Sequence, residues 1–348
     1  MSGDLVQFLR DKVLVPGHII TNPQTGNTYV IEDYLGSGAF GSVYRVNHRD
    51  PQTQTESSFA MKVIPLLSSS SRDDFREEVT AYHLLSSIPS CQPYIVCLYD
   101  SFIITYPDMD LPPLGIMVSE LMDSDLEDAA LDDDEIVPLL SHLLSGLHFI
   151  HSHGFAHRDL KPGNILTRKT RRHGRIFKIG DLGLLCDSNR GIPSCFYYGD
   201  IRYLSPEGIR FSRQPISVKQ AQQSDIWSLG ITLFDLIFGY YPFPDDDIDS
   251  TLEYLSTLTS DQVDSIINEE TPYPRRLPDN RGKEIIYLLT RMLHVNPNNR
   301  WSTQQLLDYF KKYIAPPSQK TIDVPRSFSS RFLKWKAFPQ IKSHSSFF

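Results

Sequence analysis

The chain has few cysteines, and the four that it has form no Cys-x-x-Cys pair. Zinc sites and disulfide frameworks usually show closely spaced cysteines, a pattern that Cys91, Cys97, Cys186 and Cys195 lack. The sequence therefore predicts neither a zinc site nor a disulfide framework. We expect reduced thiols and, with them, a cytoplasmic or nuclear location.

An excess of positive charge and long apolar runs are also missing. The formal net charge of -8 disfavours binding to nucleic acid, which requires a basic surface. Charged residues interrupt the N-terminal region at Asp4, Arg10 and Asp11, so we expect no signal peptide. The most apolar stretch, 227–243, contains Asp235 and is too short for a good transmembrane helix. We therefore expect no nucleic-acid partner and no transmembrane segment.

What the chain has is enough apolar sequence for a sizeable core. Hydrophobic residues make up 40% and charged residues 22% of its 348 positions, and this length predicts about two domains or lobes. The first part is rich in β-branched and aromatic residues between turn formers, which predicts strands at 28–36, 41–48, 57–67, 94–104 and 114–122. One helix, at 71–88, is predicted to begin with Ser71 as its N-cap.

Beyond residue 125 the pattern becomes helical. In 135–154 the apolar residues share one helical face, namely Ile136, Leu139, Leu140, Leu143, Leu144, Leu147 and Ile150. Further helices are predicted near 224–238, 249–258, 283–293 and 302–313. The fold class is thus α+β, with a small β-rich lobe, a larger mainly helical lobe and a hinge near 122–124. The predicted divisions are a lead-in at 1–28, the two lobes at 29–121 and 122–315, and a tail at 316–348.

The predicted tail is basic and aromatic. It has six lysines and arginines against the single acid Asp323, interleaved with Phe328, Phe332, Trp335 and Phe338. Such a segment can be an ordered strap that packs its aromatic residues on the body, or a flexible terminus. The third interpretation is that the tail docks on the rest of this chain or on a partner protein.

The segment around Gly36, Gly38 and Gly41 lies between two predicted strands. Glycines allow backbone amides to approach phosphate oxygens, although a plain hairpin turn has the same composition. The strand–turn–strand order disfavours a dinucleotide-binding fold, in which a helix follows the glycines.

Lys62 lies in the next apolar strand, where burying the charge of a lysine costs free energy unless an anion pairs with it. The following helix offers Glu77 and Glu78, and its apolar face favours Glu78.

A second cluster of polar residues lies in "HRDLKPGN", residues 157–164, followed by "FKIGDLGLL" at 177–185. Asp159, Asn164 and Asp181 then present oxygen atoms at two loop tips, and Mg²⁺ prefers such hard ligands. Asp159 is also placed to accept the proton of an attacking hydroxyl.

In this order, the motifs closely resemble those of the eukaryotic-type protein kinases over about residues 29–315. The motifs are "GSGAFGSV", "AMK", the helix glutamate, "HRDLKPGN", "DLG", "SPE", "DIWSLG" and the arginine of "NPNNRW". The resemblance implies the bilobal kinase fold and transfer of the γ-phosphoryl group of Mg·ATP to a protein.

The resemblance also implies a role for each matching residue. Asp159 would be the catalytic base, Lys161 the cation beside the phosphate, and Asn164 and Asp181 the metal ligands. Lys62 would hold the α and β phosphates and Glu78 would position Lys62. The residues expected around the nucleotide are Leu35, Gly36, Ser37, Gly38, Ala39, Phe40, Gly41, Val43, Ala60, Lys62, Glu120, Met122, Asp125 and Leu166. Ser119 would be the gatekeeper before the hinge. The apolar stack between the lobes would consist of Tyr82, Leu98, His157 and Leu182.

Lys161 two residues after the base resembles serine/threonine kinases, although dual specificity stays open. The main departure is Asp200, which stands where these kinases usually have a threonine that contacts the base and the lysine. Asp200 could pair with Lys161 or perturb Asp159. Arg158 implies that a phosphate on the activation segment can be bound, and the available hydroxyls are those of Ser188, Ser194, Tyr197 and Tyr198. A constitutively ordered segment is the alternative.

Two other functions share these motifs. A pseudokinase scaffold would bind nucleotide without phosphotransfer, and a small-molecule kinase would phosphorylate small alcohols. Lys62, Glu78, Asp159, Asn164 and Asp181 are all present, which favours an active enzyme over a scaffold. The segments after "SPE" and "DIWSLG" favour protein substrates, with serine or threonine as the acceptor.

Overall fold

The structure is a computed structural model, and it describes residues 3–38, 41–51, 53–87, 89–127, 131–171, 174–187, 195–211, 214–244, 247–270 and 281–315. Ala39 and Phe40 of the glycine-rich segment lie outside the described residues, as do Ser188, Ser194 and the predicted tail. Within the described residues no helix is both long enough and apolar enough to span a membrane.

The N-terminal lobe is built on one antiparallel sheet of six strands. They are β1 Ile19–Thr21, β2 Thr28–Gly38, β3 Gly41–Arg49, β4 Glu56–Pro65, β5 Leu98–Ile104 and β6 Leu114–Glu120. Their order across the sheet is β1-β2-β3-β4-β6-β5. The predicted strands β2, β3, β4 and β6 are present with ends shifted by at most two residues.

The strand predicted at 94–104 begins only at Leu98, because the preceding backbone pairs elsewhere. Tyr94 accepts a hydrogen bond from the backbone N–H of Ile179 at 2.9 Å, and Val96 donates to the carbonyl of Ile179 at 2.9 Å. Residues 94–96 therefore join the sheet of the N-terminal lobe to the loop that carries Asp181. This contact links the chain before β5 to the predicted site segment at 177–185.

Helix α1, Gly3–Phe8, and helix α2, Ser69–Leu85, pack on opposite faces of this sheet. On β6, Val118 joins the cluster that buries Leu9 after α1, whereas Met117 joins the cluster of α2. Successive side chains of a strand point to opposite faces, which explains this division. Neither α1 nor β1 was predicted from the sequence.

The predicted N-cap of α2 is wrong. The cap is Ser68, whose hydroxyl accepts a hydrogen bond from the backbone N–H of Ser71 at 3.1 Å. The Ser71 hydroxyl in turn accepts from the N–H of Ser68 at 3.0 Å, so the two serines form a reciprocal capping box. A run of four serines, 68–71, offers several cap candidates, and the sequence does not distinguish among them.

The C-terminal lobe is mainly helical. Its helices are α3 Ile136–Ser152, α4 Pro206–Arg210, α5 Val218–Phe238, α6 Ile248–Thr257, α7 Ser260–Ser265, α8 Arg281–Met292 and α9 Thr303–Tyr309. The whole predicted apolar face of α3 is buried. Helix α5 contains residues 227–238 of the most apolar stretch and is buried along most of its length, because it forms the centre of this lobe.

Four short strands position the site between the lobes. They are β7 Phe155–Ala156, β8 Ile165–Thr170, β9 Gly174–Ile179 and β10 Cys186–Asp187. Strands β8 and β9 form an antiparallel pair, and β10 pairs with β7. The loops that follow β7 and β9 carry Asp159 and Asp181, so these two pairs bring the predicted base and metal ligand to one place.

The prediction of reduced thiols is wrong for this structure, in which all four cysteines are paired. Cys91 is bonded to Cys97 and Cys186 to Cys195, with Cα–Cα distances of 5.3 Å and 5.8 Å. The partners lie six and nine positions apart, and neither spacing is the Cys-x-x-Cys pattern that the sequence analysis looked for. The intracellular location remains a prediction that this pairing does not support.

Candidate active site

The glycines of the glycine-rich segment lie where β2 ends, at Gly38, and where β3 begins, at Gly41. A Cβ atom added to Gly36 or Gly38 would meet no atom within 4 Å, so the backbone at these two positions is open to approach. A Cβ on Gly41 would lie 2.3 Å from the carbonyl oxygen of Val63, so that glycine is required by packing. Leu35 is exposed, and the pairing of β2 and β3 places Gly36 opposite Val43. Free approach to the backbone at Gly36 and Gly38 fits phosphate oxygens.

Lys62 lies on β4 between two carboxylates. Its Nζ is 2.7 Å from Oε1 of Glu78 and 3.6 Å from Oδ1 of Asp181. Burial lowers the pKa of Lys62, but the charges of Glu78 and Asp181 outweigh it and raise the pKa above its ordinary value. The expected partner, Glu78, faces Lys62 and is buried, whereas Glu77 is exposed. A permanently charged ammonium results, which suits contact with phosphate.

The loop after β7 supplies the predicted base. Nδ2 of Asn164 donates to the carbonyl of Asp159 at 2.7 Å and to its Oδ2 at 2.8 Å. Nζ of Lys161 lies 3.2 Å from the same Oδ2. Gly180 donates its N–H to the carbonyl of Asn164 at 2.9 Å, which ties this loop to the one that carries Asp181. The carboxylate of Asp159 is therefore held in one orientation by two side chains.

Asp181 and Asn164 form the predicted metal-ligand pair. Burial raises the pKa of the Asp181 carboxyl, but Lys62 and then His157 outweigh it and bring the pKa below its ordinary value. Asp181 has a left-handed backbone, with φ of 51°, which is costly for a residue other than glycine and is typical of functional loops. Ionised carboxylate and amide oxygens are hard ligands, so the donor set fits Mg²⁺.

His157 links the two loops by hydrogen bonds as well as by packing. It is fully buried, with Nε2 at 3.0 Å from the carbonyl of Gly180. The N–H of Asp159 donates to Nδ1 of His157 at 3.3 Å. The tautomer with its hydrogen on Nε2 satisfies both contacts. Tyr82 and Leu182 are also buried, as the predicted stack requires.

Asp225 holds the backbone of the loop that carries Asp159, and the sequence analysis did not predict this role. Its carboxylate accepts from the backbone N–H groups of His157 and Arg158, each at 2.7 Å, and contacts Nε2 of His151 at 2.9 Å. The residue lies on α5 and is almost fully buried. An acid within an apolar helix is the signal that could have identified it, because buried carboxylates need several donors.

A second unpredicted cluster lies behind the hinge. The carboxylate of Glu120 accepts from Nζ of Lys178 and from the N–H of Cys97, and Arg168 lies 3.6 Å away. The Glu120 side chain is thus committed to the protein, so its expected contact with adenine would use the backbone. Burial lowers the pKa of Lys178, with Glu120 opposing it.

The remaining residues predicted to surround the nucleotide lie where the two lobes meet. Ala60 is paired with Ser119 across β4 and β6. After β6, the N–H of Asp123 donates to the carbonyl of Thr167 at 2.8 Å, which holds the chain next to Met122 against β8. Leu166 lies on β8, and the side chain of Asp125 accepts from the N–H of Glu127 at 2.9 Å.

In the part of the chain that the structure describes, Asp200 and Lys161 form no contact with each other. Its side chain accepts from the N–H of Arg202 at 3.1 Å and lies 3.5 Å from the Arg202 guanidinium. Asp200 therefore caps the short helix Ile201–Tyr203. Lys161 keeps Asp159 as its partner. The contact expected from the resemblance is replaced by a local one.

Of the proposed phosphorylation positions, two are described. Tyr197 is buried, and burial raises its pKa to about 12. Tyr198 is exposed, and the guanidinium of Arg158 lies 5.9 Å from the centre of its ring. Tyr198 is thus the accessible hydroxyl of the pair.

Comparison with known proteins agrees with this geometry. The family model described as "Protein kinase domain" matches residues 29–310. A serine/threonine-protein kinase of Drosophila erecta is 26% identical over 289 residues, which are 82% of this chain and 35% of that protein. The CBL-interacting serine/threonine-protein kinase 15 of Arabidopsis thaliana is 29% identical over 306 residues, which are 85% of this chain and 64% of that protein.

The carbon catabolite-derepressing protein kinase of Candida tropicalis is 28% identical over 306 residues, which are 84% of this chain and 43% of that protein. This chain spans about a third of the length of the Drosophila relatives that it matches. The family model nevertheless covers most of this chain and both lobes around the site. The chain therefore belongs to the protein kinase domain family.

Proposed function

We propose that the chain is an active protein serine/threonine kinase that transfers the γ-phosphoryl group of Mg·ATP to a protein hydroxyl. One observation carries the proposal: Lys62 meets Glu78 and Asp181 while Asp159 is held by Lys161 and Asn164. Phosphoryl transfer is catalysed mainly by positioning and by electrostatic stabilisation, and this arrangement supplies both. The names of the relatives support serine and threonine as the acceptors.

Each group of the chain has a distinct task in this proposal. Asp159, whose carboxylate is oriented by Asn164 and Lys161, accepts the proton of the substrate hydroxyl. Lys161 and Lys62 place positive charge beside the phosphates. The accessible backbone at Gly36 and Gly38 lies over the same phosphates. Mg²⁺, when bound, neutralises negative charge on the phosphates. Asn164 and Asp181 would hold it.

Phosphotransfer by the purified chain tests the proposal. We expect wild type incubated with Mg·ATP to incorporate phosphate into itself or into a protein substrate, with the positions mapped by mass spectrometry. Asp159→Asn keeps the size of the side chain but removes the base, so the rate should fall about 10²- to 10⁴-fold. Asp73→Asn, an exposed acid on α2, is the matched control and should keep the wild-type rate.

A measurement of ATP binding beside phosphotransfer distinguishes a kinase from a scaffold. If wild type binds ATP but transfers no phosphate, the chain is a scaffold and the proposal fails. If Asp159→Asn is as active as wild type, the assignment of the base fails. Turnover of a small alcohol, with no transfer to any protein, would identify a small-molecule kinase instead.

A further inference from the structure

The disulfide between Cys186 and Cys195 joins the two arms of the segment that follows Asp181. The first arm is fixed because Cys186 pairs with Ala156 in the β7–β10 pair, directly before His157. The second arm is fixed because Cys195 exchanges two backbone hydrogen bonds with Ile216, at 2.8 Å and 2.7 Å. Both cysteines are therefore paired by their backbones with the large lobe, and the disulfide adds a covalent link between these two positions.

Arg158 bridges the same two arms without covalent bonds. Its Nε donates to the carbonyl of Leu184 at 2.5 Å, and its Nη1 donates to the carbonyl of Phe196 at 3.3 Å. These carbonyls lie two residues before Cys186 and one residue after Cys195. By resemblance, this arginine would bind a phosphate on the segment. Here it contacts backbone oxygens of both arms, and the disulfide connects those arms beside it.

The position of Cys195 affects the chain next to the base. Cys195 is 3% exposed and packs in one apolar cluster with Ala156, Tyr197 and Leu204. Four residues later, Gly199 has φ of 118°, and a Cβ there would lie 2.5 Å from the carbonyl of Arg158. This close approach holds the segment against the loop of Asp159. An arm that moved at Cys195 would therefore disturb the surroundings of the base.

We propose that Cys186 and Cys195 are an oxidative modification site that controls phosphotransfer, with the disulfide form the active one. The proposal rests on the proposed kinase function and names a regulation of the same site. Its direction comes from the structure, since the contacts of Lys62 and Asp159 are assembled while the bond is present. A cross-link restricts the separation of the two residues that it joins, and reduction removes that restriction.

The chemistry is thiol–disulfide exchange with a dithiol. A thiolate of the dithiol attacks one sulfur, which gives a mixed disulfide and releases the other cysteine. The second thiolate then displaces the remaining cysteine and closes the disulfide of the reagent. Cys186 and Cys195 gain two electrons and two protons, and the dithiol loses them. Cys186 is the more exposed of the two residues, so we expect attack at its sulfur.

The experiment compares initial phosphotransfer rates of the full chain before and after treatment with dithiothreitol. Trypsin reports the state of the bond, because cleavage after Lys178, Arg190 and Arg202 gives peptides 179–190 and 191–202, each with one cysteine. In the oxidised protein these peptides should be found as one linked species. Cys186→Ala/Cys195→Ala removes the bond, and Cys91→Ala removes the other disulfide as the matched control.

We expect reduction to lower the rate of wild type and of Cys91→Ala by at least about tenfold, and reoxidation to restore it. Cys186→Ala/Cys195→Ala should have the low rate in both conditions, with ATP affinity retained because Lys62 and Glu78 lie in the other lobe. The response of wild type does not depend on whether the double variant folds.

Equal rates in the two states, with the linked peptides lost on reduction, would overturn the redox inference and leave the kinase proposal standing. A response that disappears in Cys91→Ala would overturn it too, since the other disulfide would then be responsible. No phosphotransfer in either state, with ATP bound, would refute the kinase function and with it any control of that function.

Discussion

Glu77 and Glu78 are adjacent acids with opposite surroundings. Helix α2 turns Glu78 toward the sheet, where it meets Lys62 at 2.7 Å, and leaves Glu77 in solvent. The sequence was enough to choose between them, because Glu78 lies on the same helical face as the buried Phe75 and Tyr82. The assignment thus followed from helical periodicity.

The two glutamates provide a matched test of the Lys62 contact. We expect Glu78→Gln to lower kcat/KM for ATP about 10²-fold, because Lys62 loses the charge that orients it. Glu77→Gln removes the same charge one position away and should keep the wild-type rate. Steady-state kinetics of both variants check the prediction. Equal effects of the two substitutions would show that net charge, and not the contact, is responsible.

Helix α3 carries an unusual histidine on the side that faces β9. The ring of His142 stacks on Tyr94 with centroids 4.5 Å apart, and the N–H of Phe177 donates to its Nδ1 at 3.3 Å. Burial, followed by the charge of Lys178, lowers the pKa of His142 to about 4. The neutral form of this ring is therefore part of the packing between α3 and β9.

This histidine should make the free energy of unfolding depend on pH. The unfolded chain takes up the proton near the ordinary pKa of 6.5, whereas the folded chain resists it until about pH 4. The stabilisation is therefore complete above pH 6.5 and is lost as the pH falls toward 4, by up to about 3 kcal/mol. Urea unfolding at several pH values between 4 and 7 measures it.

His142→Gln should remove most of the pH dependence in this window. The control is His153→Gln, at the exposed C-cap position of α3, and it should leave the wild-type curve unchanged. Parallel curves for wild type and His142→Gln would contradict the assignment.

The large lobe is braced by an ion pair between distant parts of the chain. Nη1 and Nη2 of Arg300 donate to the two oxygens of Glu207 at 2.5 Å and 2.7 Å. Arg300 also donates to the carbonyl of Gln223 at 2.9 Å and lies over the ring of Trp227. This buried pair connects α4, α5 and the chain before α9.

Removing one partner should cost far more than removing both. Arg300→Met leaves the buried Glu207 carboxylate unpaired, and we expect the free energy of unfolding to fall by about 3–5 kcal/mol. Glu207→Leu/Arg300→Met should restore part of this loss, because no uncompensated charge remains. The exposed arginine of the Asp73–Arg76 pair is the control, and Arg76→Met should cost less than about 1 kcal/mol. Additive losses in the double variant would contradict the prediction.

Local patterns in the sequence were sufficient for the strands β2, β3, β4 and β6, for α3 and for the C-terminal part of α5. These elements follow from side-chain periodicity, and periodicity is a property of neighbouring residues. The ordered motifs likewise indicated Lys62, which lies within an apolar strand, and Asp159 and Asp181, which lie in loops that follow short strands.

Contacts between distant segments required the folded chain. Asp225 reaches the backbone of His157, Glu120 meets Lys178, and Cys186 meets Cys195 only after the lobes and loops have packed. Which donor a buried carboxylate or thiol finds depends on packing in three dimensions, and one-dimensional spacing does not contain that information.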